Sequence, residues 1–414
     1  MKRRVAVTGL GMASAIGLEE ETVWERLMAG RGGIGEISLL DTTGYRVSIG
    51  AEVDSEEVSS RLSAMGRRSI DRALDLAMIA GDSALRQSGL IDGEPPYEPQ
   101  DVAVIFGSGV GSAESHHTAF TAFAKRGVRG LRPTTVPKCM YNAISSGLSL
   151  QYRLVGTNYM VVSACTSATN AIGAAARMIR DGYADTVLCG GAEGFFDPFF
   201  YGVWNNLGVL STLPDPETAC RPFDADRAGC VLGEGAGALV LEARDVAERR
   251  GARIRGEIAG YGESSDAKHR TSPSAAGQAR AMRQALEEAA VEPSDLAVVN
   301  APGTATEAND ECESRSIREV LGDAASRVPV CAHKSYFGHT LGASGALETI
   351  TTLLSLEHRT LPPNLNLERP DPACGGIDLV GAESREIHSP WAMKNSFGFG
   401  GGNGVLIVRG PDGE

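Results

Sequence analysis

At 414 residues the chain is long enough for roughly two to three domains or one large duplicated fold, and its 42% hydrophobic and 22% charged residues give the profile of a globular protein. The 52 Asp and Glu outnumber the 39 Lys and Arg, and the net charge of −13 argues against a broad nucleic-acid-binding surface. No apolar run approaches the roughly 18 residues needed to span a bilayer, and Met1-Lys2-Arg3-Arg4 leads into a strand-like segment instead of a signal core, so a cytoplasmic protein without membrane association is expected. Eight cysteines without a CxxC pair, beside only seven histidines, exclude a disulfide framework or zinc module, and no metal site is expected.

Taken in chain order, the sequence predicts a strand over 4–8, a helix over 69–87, and a turn at Asp92-Gly93-Glu94-Pro95-Pro96. A strand over 102–106 then runs into Gly107-Ser108-Gly109-Val110-Gly111, whose spacing misses the dinucleotide fingerprint GxGxxG. Next come a strand over 159–163, a helix over 167–181, and strands over 186–189 and 238–242. Helices over 276–290, 311–321 and 343–356 follow, interleaved with strands over 297–300 and 328–332 and closed by a strand over 404–408. Short Val- and Ile-rich runs of this kind are strands buried on both faces, which is layered α/β structure. The order of elements before Arg253 recurs in shorter form after it, so two similar halves, 1–252 and 253–414, are expected to share one core.

The segment from Tyr159 to Ala176 carries the chemistry. A buried strand runs to Cys165, and a helix rich in Ala and Gly begins directly after it. Backbone N–H groups and the helix dipole favour a thiolate at such a position, and the same turn offers an N–H to the oxyanion of an acyl thioester. A lone cysteine is ordinarily packing, and Cys139, Cys189, Cys220, Cys230, Cys312, Cys331 and Cys374 are read so. The context of Cys165 marks it as a nucleophile.

Three further clusters turn this context into a resemblance. They are Arg221-Pro222-Phe223-Asp224-Ala225-Asp226-Arg227 followed by Gly233-Glu234-Gly235-Ala236-Gly237, the run from Lys334 to Ala343 that holds Gly338-His339-Thr340, and Asn395-Ser396-Phe397-Gly398-Phe399-Gly400-Gly401. With Thr8-Gly9-Leu10-Gly11-Met12 at the start, the chain resembles the β-ketoacyl synthases of fatty-acid and type II polyketide biosynthesis from end to end. The resemblance implies a thiolase-like fold with a layered α/β/α/β/α core and a dimer, either homodimeric or paired with another ketosynthase-like subunit. It also implies ping-pong acyl transfer from an acyl carrier protein or a CoA thioester, without a cofactor. It assigns Cys165 as nucleophile, His339 as catalytic histidine, Lys334 as its electrostatic supporter, and the Phe399 loop as part of the oxyanion hole. Val110, Phe199, Phe200, Thr304, Thr306 and Phe397 are its substrate-binding candidates, and Glu193 and Glu348 match acidic residues of structural character. Six of the chain's 23 aromatics fall between Phe195 and Trp204, more than a generic core needs, which reads as acyl pocket or dimer contact. Arg61, Arg67, Arg68 and Arg72 form a basic cluster, a dock for an acidic carrier protein on a chain of this charge.

One departure matters. Where the family has the first of its two active-site histidines, in Asn-Ala-His-Gly-Thr, with His339 matching the second, this sequence reads Asn300-Ala301-Pro302-Gly303-Thr304. A proline side chain has no donor, acceptor or titratable group. Loss of one preorganised oxyanion donor costs about 2.7–4 kcal/mol, or about 10²–10³ in rate, so decarboxylation of a malonyl extender should suffer. His333, six residues before His339, is a conceivable substitute, but beside Lys334 it reads as structural or surface. The expected order of activities is therefore acyl transfer from Cys165 to a hydroxyl or amine first, rescued carbon–carbon condensation second, and a non-catalytic partner subunit third.

Overall fold

The computed structural model describes residues 3–91 and 102–411, so the expected turn at 92–96 lies outside the described residues. In chain order the elements that build the site are β1 (Val5–Ala13), α1 (Arg72–Gln87), β2 (Val102–Gly107), β3 (Asn158–Val161), α2 (Ser167–Arg180), β4 (Thr186–Glu193), α3 (Pro198–Leu207) and β5 (Gly235–Ala243). They continue as β6 (Gly256–Ser265), α4 (Ala275–Ala289), β7 (Leu296–Asn300), α5 (Glu307–Leu321), β8 (Pro329–Cys331), α6 (Ser344–Glu357), β9 (Asp378–Leu379), β10 (Trp391–Gly398) and β11 (Gly402–Arg409).

These eleven strands pair in the order β9-β8-β7-β10-β11-β6-β1-β5-β4-β2-β3. The join between β1 and β6 consists of two residue pairs, Ala6 with Glu257 and Val7 with Gly256, so the sheet is two blocks meeting at a narrow seam. Helices α2 and α6 lie between the blocks. Ala168, Ile172 and Ile179 of α2 and Ile350, Leu353 and Leu354 of α6 share one core with Val7 and Leu241 of one block and Val298 and Leu406 of the other. Residues 344–356 of α6 are all buried, as a helix enclosed by two sheets must be. Outside, α1 packs Leu76 and Ile79 on Val104, Leu188 and Val240, while α4 and α5 pack Met282 and Ile317 on Val299, Val405 and Ile407. The result is an α/β/α/β/α stack.

The two outer faces are built alike at the level of single residues. A Cβ on Gly9 or Gly11 of β1 would stand 2.1 Å from the carbonyl oxygen of Ala84 or 2.0 Å from that of Ala80 on α1. A Cβ on Gly260 or Gly262 of β6 would stand 2.2 Å from the oxygen of Ala285 or 2.0 Å from that of Ala281 on α4. Any side chain at these four positions would lift a helix off its sheet.

The predicted strand over 159–163 leaves the sheet after Val161, because Ser163 is already engaged in the turn beyond it through its N–H to Ser167 Oγ. The strand over 328–332 keeps only Pro329–Cys331. Strands β6 and β10 and helix α3 carry no Val- or Ile-rich run and are not among the predicted elements.

Candidate active site

The turn between β3 and α2 reverses direction within three residues, and Ala164 adopts φ +53°, a left-handed conformation that costs a non-glycine residue roughly 1–2 kcal/mol. Local bonds hold it: Ser167 Oγ donates to the Ala164 carbonyl at 2.6 Å and Thr166 Oγ1 to the Ser163 carbonyl at 2.7 Å. The strained residue directs the next side chain, Cys165, into a cavity of about 340 Å³. His339, Phe397, Phe399, Thr304, Thr306 and Trp204 line the same cavity.

The backbone N–H groups of Cys165 itself and of Phe399 lie toward the Cys165 sulfur and favour its charged form. Burial nonetheless pushes the thiol up to about 11, against the pull of Lys334 and the two N–H groups and with a further push from Glu193. The position after the strand was expected to favour a thiolate, but desolvation outweighs the turn. Cys165 rests as a thiol.

His339 is clamped by its backbone, its N–H donating to Val231 O at 2.7 Å and its carbonyl accepting from Gly233 N at 3.0 Å. Its Nδ1 is 3.1 Å from Ser344 Oγ. Burial, then the positive charges of Lys334 and Lys394, hold the imidazole far below its ordinary range, so the ring is neutral. Lys334 is bound to Glu348 Oε1, and Lys394 occupies Glu348 Oε2 at 2.8 Å. Both lysines hold the Glu348 carboxylate below its usual range despite full burial.

Glu193 accepts from Ser108 Oγ at 2.9 Å and from the N–H groups of Gly109, Val110 and Gly342 at 2.7, 3.0 and 2.9 Å. The glycine turn after β2 is thus closed on a protein carboxylate and is not a phosphate loop. Val110 packs into the aromatic cluster around Phe195, Phe196 and Cys165 and does not line the cavity.

Other expected residues fall elsewhere. Phe199 is 62% exposed and Phe200 packs on the Phe195 and Phe196 cluster, so the aromatic that α3 sends to the cavity is Trp204, whose ring stacks on Phe399. Cys230, read as packing, also lines the cavity. Pro302 is buried outside the cavity wall, in a loop fixed by the Ala301 N–H to Cys331 O at 2.8 Å and the Gly303 N–H to Glu313 Oε2 at 3.1 Å. His333 is a core residue, not a surface one, and stands clear of the cavity. Its Nδ1 lies 2.8 Å from Thr351 Oγ1 and 3.2 Å from Asn300 Nδ2, and burial pushes it down to about 4.

Arg72 leaves the docking cluster. It is mostly buried, with Nε 3.1 Å from both oxygens of the fully buried Glu234. Arg61 pairs with Glu19, Arg67 donates to Gln151, and Arg68 is exposed. Lys394 was missed because a polar residue inside an unpredicted strand gives no local signal. Among the described residues no group of three His, Cys, Asp or Glu could hold a metal ion, and no helix is long and apolar enough to cross a membrane.

Residues 2–247 match the family model of the beta-ketoacyl synthase N-terminal domain and residues 255–368 that of its C-terminal domain. The chain is 41% identical over 413 residues to a 3-oxoacyl-[acyl-carrier-protein] synthase 2 of Vibrio cholerae, covering 99% of both chains. It is 39% identical over 410 residues to a protein so named from Coxiella burnetii, covering 98% of both. Among solved structures it is similar to a chain of the ishigamide ketosynthase/chain length factor, with TM-score 0.91, 33% identity and full coverage of both. A beta-ketoacyl synthase from Burkholderia phymatum gives TM-score 0.90 at 34% identity, covering 99% of this chain and 100% of that one. A chain of the AntDE:AntF complex, a type II PKS acyl-carrier protein with its ketosynthase bound to the hexaketide, gives TM-score 0.91 at 27% identity, covering 99% and 100%.

Proposed function

The chain belongs to the β-ketoacyl synthase family, and from that membership we propose that it is a 3-oxoacyl-[acyl-carrier-protein] synthase that forms carbon–carbon bonds by decarboxylative condensation. Its layered α/β fold is the thiolase-like fold of the solved ketosynthases. The observation that carries the proposal is the one cavity in which Cys165, two N–H groups aimed at its sulfur, and a neutral His339 meet.

In the first step Cys165 Sγ attacks the acyl thioester and the carrier's thiol leaves with the cysteine proton. The carbonyl oxygen of the tetrahedral intermediate takes the Phe399 and Cys165 N–H groups. In the second, the carboxylate of a malonyl extender leaves as carbon dioxide and its bonding pair becomes an enolate, whose oxygen the His339 imidazole holds. The enolate carbon attacks acyl-Cys165, the carbon–sulfur bond breaks with its pair leaving on sulfur, a 3-oxoacyl thioester is released, and the Cys165 thiolate takes a proton from water to return to the resting thiol. This order reverses the sequence expectation, which put ester or amide formation first. The relatives are named 3-oxoacyl-[acyl-carrier-protein] synthases, and only Pro302 speaks for the other chemistry.

Pro302 keeps that second reading in view: transfer of the acyl group from Cys165 to a hydroxyl or amine needs one base, His339, and no enolate. The partners of the main reading are an acyl carrier protein or CoA thioester and a second ketosynthase-like chain, identical or not. Strand β3 ends the sheet without a further neighbour among the described residues, and Leu150, Val155 and Val162 around it are exposed, which supports a partner there.

The test is to supply acyl and malonyl carrier-protein thioesters and follow, by mass spectrometry, acyl-Cys165 and the 3-oxoacyl product together with released carbon dioxide. Acylation followed by discharge only to alcohols or amines, with no carbon dioxide, would overturn condensation in favour of the second reading.

A further inference from the structure

Lys394 lies in the middle of β10, fully buried in a strand position that ordinarily takes an apolar side chain. Burying an ammonium is costly unless each N–H is met. Here it forms an ion pair with Glu348 Oε2 at 2.8 Å, without hydrogen-bond geometry, and donates to Ser396 Oγ and to Thr169 Oγ1 at 3.4 Å. Thr169 stands four residues beyond Cys165 on α2, and Ser396 three before Phe399, so the lysine is tied to both segments that form the oxyanion hole.

Charge counting gives the consequence. Glu348 brings one negative charge against two lysines; burial and the neighbouring Lys334 push the Lys394 ammonium below its ordinary range, and the Glu348 carboxylate pulls it back toward the charged form. Other ionisable groups nearby offset the excess only in part. Glu193 is occupied by four donors, and burial raises it toward the neutral acid. Burial pushes Glu313 to about 8, so it is mostly the neutral acid at pH 7, and Asp310 to about 6, where it is ionised but faces Arg227; they are bonded to the backbone of Gly303 and of Phe223 respectively. Cys230, pushed to about 12, is a neutral thiol, and His339 is a neutral ring.

We infer that Lys394 is a positioning residue for the reaction: by taking the second oxygen of Glu348 it leaves positive charge uncancelled toward Cys165 and His339. The anions made there, the cysteine thiolate and then the enolate oxygen, are thereby held by a buried cation pair where Pro302 supplies no donor. The enolate half of this inference rests on the condensing reading, and the thiolate half does not.

The experiment uses the full chain with Lys394→Met, which keeps length and bulk without charge, Lys394→Arg, which restores charge, and Glu348→Gln, which removes the shared carboxylate. Iodoacetamide alkylation of Cys165 at pH 8 and carbon dioxide release from a malonyl thioester are measured on each. Alkylation should slow about tenfold in Lys394→Met, the effect of one charge at an intermediate effective dielectric, recover in Lys394→Arg, and quicken in Glu348→Gln. Decarboxylation should fall at least as far in Lys394→Met. A folded Lys394→Met that alkylates at the parent rate overturns the inference, and Lys394→Gln serves the same comparison if the methionine variant does not fold. Slowing in Glu348→Gln as in Lys394→Met also overturns it, since a merely structural role moves both the same way. If the alkylation rates shift as expected while the parent releases no carbon dioxide, the charge assignment holds and the condensing function fails.

Discussion

Trp204 lies nearly flat against Phe399, with ring centroids 5.8 Å apart and planes within 10° of parallel. The Phe399 N–H lies toward Cys165, and Trp204 also walls the cavity, so one contact couples the surroundings of the sulfur to the cavity, which on the proposed function are the oxyanion hole and the space for the acyl chain. Stacked pairs contribute about 0.5–1.5 kcal/mol beyond their buried area. Trp204→Ala should therefore open room for longer acyl groups and loosen the Phe399 loop. Competing short and long acyl thioesters for loading onto Cys165 should show a several-fold shift toward the longer chain, with slower loading of the shorter one. An unchanged ratio would remove Trp204 from the specificity determinants.

The pH response of Cys165 follows from its burial. A thiol at about 11 is overwhelmingly protonated at neutrality, so alkylation should climb about tenfold per pH unit from pH 7 to 10. A plateau above pH 7 would mean that the thiolate is already formed and that Lys334 and the two N–H groups outweigh desolvation.

What the sequence made legible was whatever is local. Cys165 could be read because strand, nucleophile and small-residue helix are contiguous, and Lys334 and His339 because they are five residues apart in one motif. The repeat of Gly9-Leu10-Gly11 in Gly260-Tyr261-Gly262 was present in the residues but unread, since its meaning lies in the carbonyls of Ala80, Ala84, Ala281 and Ala285 on helices packed across each strand. Lys394 was hidden for a like reason: its partners Glu348 and Thr169 lie 46 and 225 residues away. Phe199 and Trp204 sit on one helix five residues apart, and which of them faces the substrate depends on how α3 docks, which no local pattern states.

His333 links stability to acidity. Burial lowers it from 6.5 to about 4, so the unfolded chain binds a proton that the folded chain refuses. Its contribution is fully present above pH 6.5 and is lost as pH falls toward 4, by an amount on the order of 3 kcal/mol. His333→Asn keeps an acceptor or donor for Thr351 and Asn300 but cannot titrate. It should be less stable than the parent at pH 7 and lose less stability between pH 6.5 and 4. Parallel denaturation midpoints for the two proteins across that range would show that His333 is not the linked group.

Arg68 and Arg72 separate docking from folding. Arg68 is exposed and forms no ion pair among the described residues, whereas Arg72 reaches inward to Glu234, a carboxylate with no exposure of its own. Breaking such a buried pair by removing one partner typically costs about 3–5 kcal/mol, because the other charge stays buried, while a surface charge contributes mainly to encounter with an oppositely charged partner. Arg68→Glu should leave thermal stability within about 0.5 kcal/mol of the parent and slow transfer from an acidic acyl carrier protein, most at low salt and not from a small thioester mimic. Arg72→Met should instead lower stability by several kcal/mol and slow both donors alike in whatever fraction remains folded. If Arg72→Met is as stable as the parent and selectively slows the carrier protein, Arg72 returns to the docking surface and its pair with Glu234 is not what holds it.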